Sequence, residues 1–244
     1  MQPTEYEIMF RVEETHWWYR ALHQLIFDAL ETELADWRDK AILDAGCGTG
    51  AILKRLGNPG KNRGVDLATE AIAFCRERGL NNVQQGDIRA LPFADAQFDA
   101  VICSSVLCSE RVKDVADAIC ELRRVLRLNG LLFLNVPAFR FLRSAHDEAV
   151  MTARRFRKNE IHSLLSENGF VIRRLTYWTT LLFPLAVLAR TFGASKMGRD
   201  FPPARIPNYV FGKIMSLELA LLKGVSLPFG VGIFAVARKR EITG

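Results

Sequence analysis

Three glycines at alternate positions, Gly46, Gly48 and Gly50, stand between an acidic residue, Asp44, and an apolar helical run that starts at Ala51. Such a turn can adopt positive φ, and a ligand can come close to backbone that carries no Cβ. A helix beginning there offers its free N–H groups to that ligand. Asp66 follows Asp44 by 22 residues, near the interval of roughly 20 at which an acid meets ribose hydroxyls in open α/β sheets. A carboxylate can accept from both hydroxyls of one ribose. These residues together suit a nucleotide-type ligand, although the G-x-G-x-G spacing departs from the dinucleotide pattern G-x-G-x-x-G. A second group of chemical interest is His146-Asp147, in an irregular loop with Arg154, Arg155 and Arg157. His146 is the one histidine whose place in the sequence suits general-base work near neutral pH. The same two residues could instead cap the next segment or tie the loop together.

Positioning these groups takes alternating strands and helices. Short apolar runs predict strands at 41–43, 63–67, 83–88, 98–104, 131–136 and 171–177, with another near 232–237. The run at 98–104 is almost wholly apolar, as expected of a central parallel strand covered on both faces. Helices are predicted at 51–56, 68–78, 112–128 and 158–168, with Asn129-Gly130 turning the chain into the fifth strand and Gly169 stopping the last helix. Arg123, Arg124 and Arg127 fall at the basic end of their helix, where cations complement its dipole, so they do not read as a binding patch. In a doubly wound sheet the ligand sits beyond the carboxyl ends of the strands. That places Ser104 to Leu107, and the loop carrying His146, at the site.

The stretch 42–50, ILDAGCGTG, closely resembles the first motif of class I methyltransferases that use S-adenosylmethionine. The likeness to the family often called methyltransferase type 11 runs from about His16 to Lys239. It implies an α/β fold with a doubly wound, seven-stranded, mostly parallel sheet. It implies S-adenosylmethionine as cofactor, held by Asp44, Ala45, Gly46, Cys47, Gly48, Gly50, Asp66, Leu67, Asp87, Ile88 and Ser104. In the resembling family an acid at the position of Asp87 accepts from the adenine amino group, and the next N–H, that of Ile88, reaches the ring. The family pattern continues through Leu91-Pro92-Phe93 to Phe98-Asp99. It breaks at Val106-Leu107-Cys108-Ser109, where many relatives read Val-Leu-Glu-His. His146 and Asp147 match a His-Asp pair often carried by such enzymes, which makes them the candidate catalytic residues. No metal site is expected.

The remaining segments frame this centre. Trp18, Leu22, Leu25, Ile26, Ala29 and Leu30 form one helical stripe. His16 and Trp17 lie off it and need another partner, so 1–40 reads either as a helical lid over the ligand or as a helix packed on the core. Class I enzymes usually keep their last two strands close in sequence, whereas here about fifty residues intervene. The interval 178–230 holds nine consecutive apolar residues at 181–189 and a second apolar segment at 209–222. Neither reaches the ~20 residues of a spanning helix. Three readings stand: an apolar helical insertion capping the acceptor side, a dimer contact, and a peripheral membrane contact through its basic edges. One domain over 1–244 is expected.

The 244 residues carry a formal net charge of +6, which suits anionic substrates, membranes or nucleic acid without choosing among them. Five cysteines without a C-x-x-C pair read as reduced thiols. With no secretory leader visible, the expected location is the cytoplasm, with room for attachment at the inner face of the membrane. The leading functional reading is methyl transfer to a small-molecule or lipid-like acceptor. Nucleic-acid amino-methylation usually requires Asp/Asn-Pro-Pro-aromatic after the fourth strand, where this chain has Ser104-Ser105-Val106-Leu107, so no nucleic acid is expected as partner. A non-catalytic protein that binds S-adenosylmethionine remains an alternative, and a dehydrogenase a distant one. Oligomeric state is open.

Overall fold

The computed structural model describes residues 1–191 and 205–241. Two N-terminal helices, α1 (Pro3–Val12) and α2 (Trp17–Glu33), precede the sheet. The alternating part follows as β1 (Ile42–Ala45), α3 (Ala51–Leu56), β2 (Arg63–Asp66), α4 (Thr69–Glu77), β3 (Val83–Gln85), β4 (Phe98–Ser104), α5 (Val115–Val125) and β5 (Leu126–Pro137). Then come α6 (Ala145–Ala149), α7 (Lys158–Glu167), β6 (Phe170–Trp178), α8 (Phe183–Thr191), α9 (Arg205–Leu222) and β7 (Gly232–Lys239). The seven strands form one sheet in the order β3-β2-β1-β4-β5-β7-β6. β7 runs antiparallel to both β5 and β6, and the other pairings are parallel. The order reverses between β1 and β4, so the crevice for a ligand opens past Ala45 and Ser104.

Side chains alternate across the sheet and split the core in two. Leu43, Val101, Cys103, Leu132 and Leu134 face α5 and α7, meeting Ile119, Leu122, Ile161 and Leu165. Ile42, Ala100, Ile102, Phe133 and Phe234 face the other way, onto Leu25, Ile26 and Leu30 of α2 and Met215, Leu219 and Leu222 of α9. The spacing 215, 218, 219, 222 is one helical face, which explains why α9 returns to the sheet.

Two sequence expectations need correction here. Asn129-Gly130 does not turn the chain between a helix and a strand, because β5 already begins at Leu126, paired with Phe98. The register then shifts, and Ala100 pairs with Leu131. Asn129 (φ 63°) and Gly130 form the resulting irregularity, where a Cβ on Gly130 would stand 2.9 Å from the Arg127 carbonyl oxygen and 3.1 Å from that of Asp99. The preceding helix is correspondingly shorter than 112–128. Within 178–230, α8 and α9 are helical, and the part of that expectation falling on 192–204 lies outside the described residues.

Candidate active site

The N–H groups of Gly46 and Cys47 both donate to the Val65 carbonyl, at 2.7 and 3.0 Å, so the glycine turn is stitched to the neighbouring strand. Gly46 has φ 85°, and a Cβ there would stand 2.1 Å from Val106 Cγ2. Gly48 has φ 53°, and its Cβ would meet Met9 Cε at 2.4 Å, because α1 lies over the turn. Cys47 lines the cavity above the turn, with its thiol 3.9 Å from that of Cys75. Ala45 and Gly50, expected at the cofactor, do not line that cavity. Ala45 is buried in the sheet core, and a Cβ on Gly50 would strike Leu80 and Cys75, so Gly50 packs the turn onto the end of α4.

Three sequence-predicted acids, Asp44, Asp66 and Asp87, line the cavity. Asp44 is 1% exposed, and its Oδ2 has no hydrogen-bond partner. Burial, reinforced by Asp66 and Glu13, pushes its carboxyl up to about 8. Asp66 accepts from the Gly48 N–H and the Ala68 N–H, each at 2.9 Å. Burial still raises its carboxyl against those bonds. Asp87 holds Arg89 through Nε and Nη2, and that bonding keeps it below the ordinary carboxylate range. Leu67, Ile88 and Ser104 line the same space.

Glu13 is a fourth acid, which sequence reasoning missed. It is 2% exposed, accepts from the Thr49 hydroxyl and from Arg78, and ties the segment between α1 and α2 to the turn. Arg78 Nε also donates to the Thr49 carbonyl at 2.9 Å. Burial pushes the Glu13 carboxyl up to about 7 despite these partners. In the sequence it is one of several N-terminal glutamates, and nothing local marks it.

His146 and Asp147 lie on α6, past the carboxyl end of β5, and both line the cavity. Asp147 is 2% exposed and fully engaged. It accepts from the Ser144 N–H at 2.8 Å, capping α6, and from Arg155 Nε and Nη2 at 2.9 and 3.1 Å. Arg155 also donates to the Ala138 carbonyl at 2.9 Å. Burial lowers the His146 imidazole, with Asp147 pulling against it. The sequence singled out one histidine, but the structure brings two more to the cavity, His16 and His23. His16 Nδ1 accepts the Trp18 N–H at 3.2 Å at the start of α2, which assigns the neutral ring's proton to Nε2. Burial, with His146 adding to it, takes His16 down to about 4. Its position off the apolar stripe was the available signal.

The roof comes from distant segments. Asn135 donates to Ser104 Oγ at 3.3 Å and to Ser105 Oγ at 3.2 Å, and accepts from Trp178 Nε1 at 2.9 Å. Trp17 is edge-on to Phe211 of α9, at 5.5 Å between ring centres, and its backbone N–H donates to Asn208 Oδ1 at 2.8 Å. Glu218, fully buried on α9, accepts from the N–H groups of Thr179 and Leu181 and so holds the start of the 178–230 segment. The result is one continuous cavity of about 860 Å³ from the glycine turn to the faces of α8 and α9.

The sheet order and the ligand crevice are those expected of the resembling class, and residues 43–134 match the family model described as "Methyltransferase domain". Residues 43–134 thus carry the methyltransferase-domain match, within a sheet of the class I order. The malonyl-[acyl-carrier protein] O-methyltransferase of Enterobacter lignolyticus is 33% identical over 147 residues, which cover 57% of this chain and 58% of that one. The fatty-acid O-methyltransferase of Mycolicibacterium smegmatis is 40% identical over 103 residues, 39% of this chain and 36% of the relative. The chain thus spans between about a third and three fifths of these relatives. A SAM-dependent methyltransferase structure from Thermotoga maritima superposes with a TM-score of 0.60 at 19% identity, covering 97% of this chain and 96% of the other, and supports the methyltransferase fold beyond the matched domain.

Proposed function

We propose that the protein binds S-adenosylmethionine over the glycine turn and transfers its methyl group to a small-molecule or lipid-like acceptor beneath α8 and α9. The observation that carries this reading is the single cavity joining Asp44, Asp66 and Asp87 to His146 and an apolar wall. The cofactor fits what the turn presents. The orphaned Asp44 oxygen suits a ligand that brings positive charge into a buried site, and the glycines leave room where side chains would clash. Asp66 has lone pairs left for ribose hydroxyls, and Asp87 with the Ile88 N–H addresses the adenine. Gly46, Cys47, Gly48, Leu67 and Ser104 complete the cradle.

When bound, the cofactor supplies an electrophilic methyl group on a sulfonium. The chain's own residues align the acceptor opposite that methyl and keep water out. Trp17, Trp178, Leu182 and Phe211 provide the dry wall. His146 takes the acceptor's proton where the acceptor atom is a hydroxyl, and its lowered basicity leaves it neutral near pH 7, whereas a carboxylate acceptor is already ionised there and needs no base. Asp147 is a positioning residue, fixing α6 through Ser144 and Arg155. A lipid-like acceptor agrees with this wall and with the names of the two curated relatives.

The proposed location is the cytoplasm, with peripheral contact at the inner membrane face. Leu188, Ile206, Tyr209 and Leu217 of α8 and α9 are each more than half exposed. No helix among the described residues is long and apolar enough to cross a membrane. Incubation with methyl-labelled S-adenosylmethionine and a total lipid extract tests the activity. Label is expected in an extracted product, and His146→Ala should lower turnover while leaving cofactor affinity in place. Absence of labelled product from both lipid and aqueous metabolite pools would count against the reading.

A further inference from the structure

Leu182, at the start of α8, and Leu185, Ala186, Ala189 and Arg190 within it all line the cavity. Four apolar residues thus end in a cation on the same helical face. Arg190 is half-buried, and no hydrogen bond or ion pair joins its guanidinium to another described residue. Its charged neighbours are Arg155 and Asp147. Asp147 favours the Arg190 cation at a distance, but its oxygens are already taken by two hydrogen bonds from Arg155 and by Ser144, so it is not a dedicated partner for a second guanidinium. Burial lowers Arg190, and Arg155 acts in the same direction. A cation in the last turn of a helix complements the helix dipole, but that role requires no place in a cavity wall. A partly desolvated, unpaired charge is costly and calls for a counter-ion. The planar guanidinium fork matches a carboxylate or a phosphate better than an ammonium would. Arg190 also lies within electrostatic reach of His146, so an anion held there is close to the proposed proton acceptor.

We propose that Arg190 anchors an anionic group, a carboxylate or a phosphate ester, on an amphipathic acceptor whose apolar part lies along α8. This deepens the methyl-transfer reading and rests on it for the word acceptor; the anion subsite itself is a property of the cavity. The test uses three twelve-carbon probes below their micelle thresholds: dodecanoate, dodecyl phosphate and dodecanol. Binding is measured by calorimetry on the full chain, with and without S-adenosylhomocysteine. At least one anion should bind about tenfold or more tighter than dodecanol, the size expected for a charge-assisted pair. Arg190→Gln should abolish that preference without changing dodecanol affinity, and Arg190→Lys should keep part of it. The relative affinities of the two anions distinguish carboxylate from phosphate. Equal binding of all three probes, no binding of any, or a preference that survives in Arg190→Gln would overturn the proposal. Failure of S-adenosylhomocysteine to bind would instead count against the cofactor reading, while the ranking of probes on the cofactor-free protein still reports on Arg190.

Discussion

Asp44 concentrates the chemistry of the cofactor side in one carboxyl. Its Oδ2 is buried without a partner, and its titration sits at about 8. An unfolded Asp titrates near 3.9, so the folded chain holds an extra proton between these values. The stability this contributes is fully present below about pH 4 and is lost as pH rises through about 8. A cationic ligand reverses the preference, because it favours the ionised carboxyl. Affinity for S-adenosylmethionine should therefore rise by about tenfold between pH 6 and pH 8, and Asp44→Asn should flatten the profile. A flat wild-type profile, or an unchanged slope in the variant, would remove Asp44 from cofactor binding.

At the level of elements, the cap hangs on Glu218. Its two carboxylate oxygens take the N–H groups of Thr179 and Leu181, linking the exit of β6 to α9. Glu218→Ala leaves both N–H groups without that acceptor, at about 1–3 kcal/mol for each that stays dry. A lowered unfolding midpoint with β-sheet content retained would show it; an unchanged midpoint would mean water replaces the carboxylate. Such links explain what the sequence hid. β1, β2 and β4 were legible because their apolar runs end at Asp or Ser beside the ligand crevice. The start of β5 was not, since Leu126 continues the apolar stripe of α5 and Asn129-Gly130 has the form of a turn. Asp66 could be placed from spacing and Asp87 from the family resemblance, but Asn135 and Trp178 meet only after the sheet forms. The motif also could not show that Gly50 faces Cys75 and Leu80 rather than the cavity.

For the whole molecule, the cavity is a joint product of the sheet's ligand edge, the N-terminal helices and the 178–230 segment. The apolar residues on the outer side of that segment set up the proposed membrane contact. Full-length protein should float with anionic vesicles more than with neutral ones, because each basic residue near an anionic surface adds about 1 kcal/mol. Replacing Leu188, Ile206 and Leu217 by serine should reduce flotation; indifference of the wild type to lipid would leave α8 and α9 as a cavity wall alone. The central claim is that one nucleotide-type ligand, S-adenosylmethionine, occupies the glycine turn after β1, at the crevice between β1 and β4, and calorimetry tests it most directly. S-adenosylhomocysteine should bind at one site per chain, nicotinamide dinucleotides should not, and Asp66→Ala should weaken binding by about 1.5–3 kcal/mol. No binding of S-adenosylhomocysteine, or an affinity unchanged in Asp66→Ala, would contradict it.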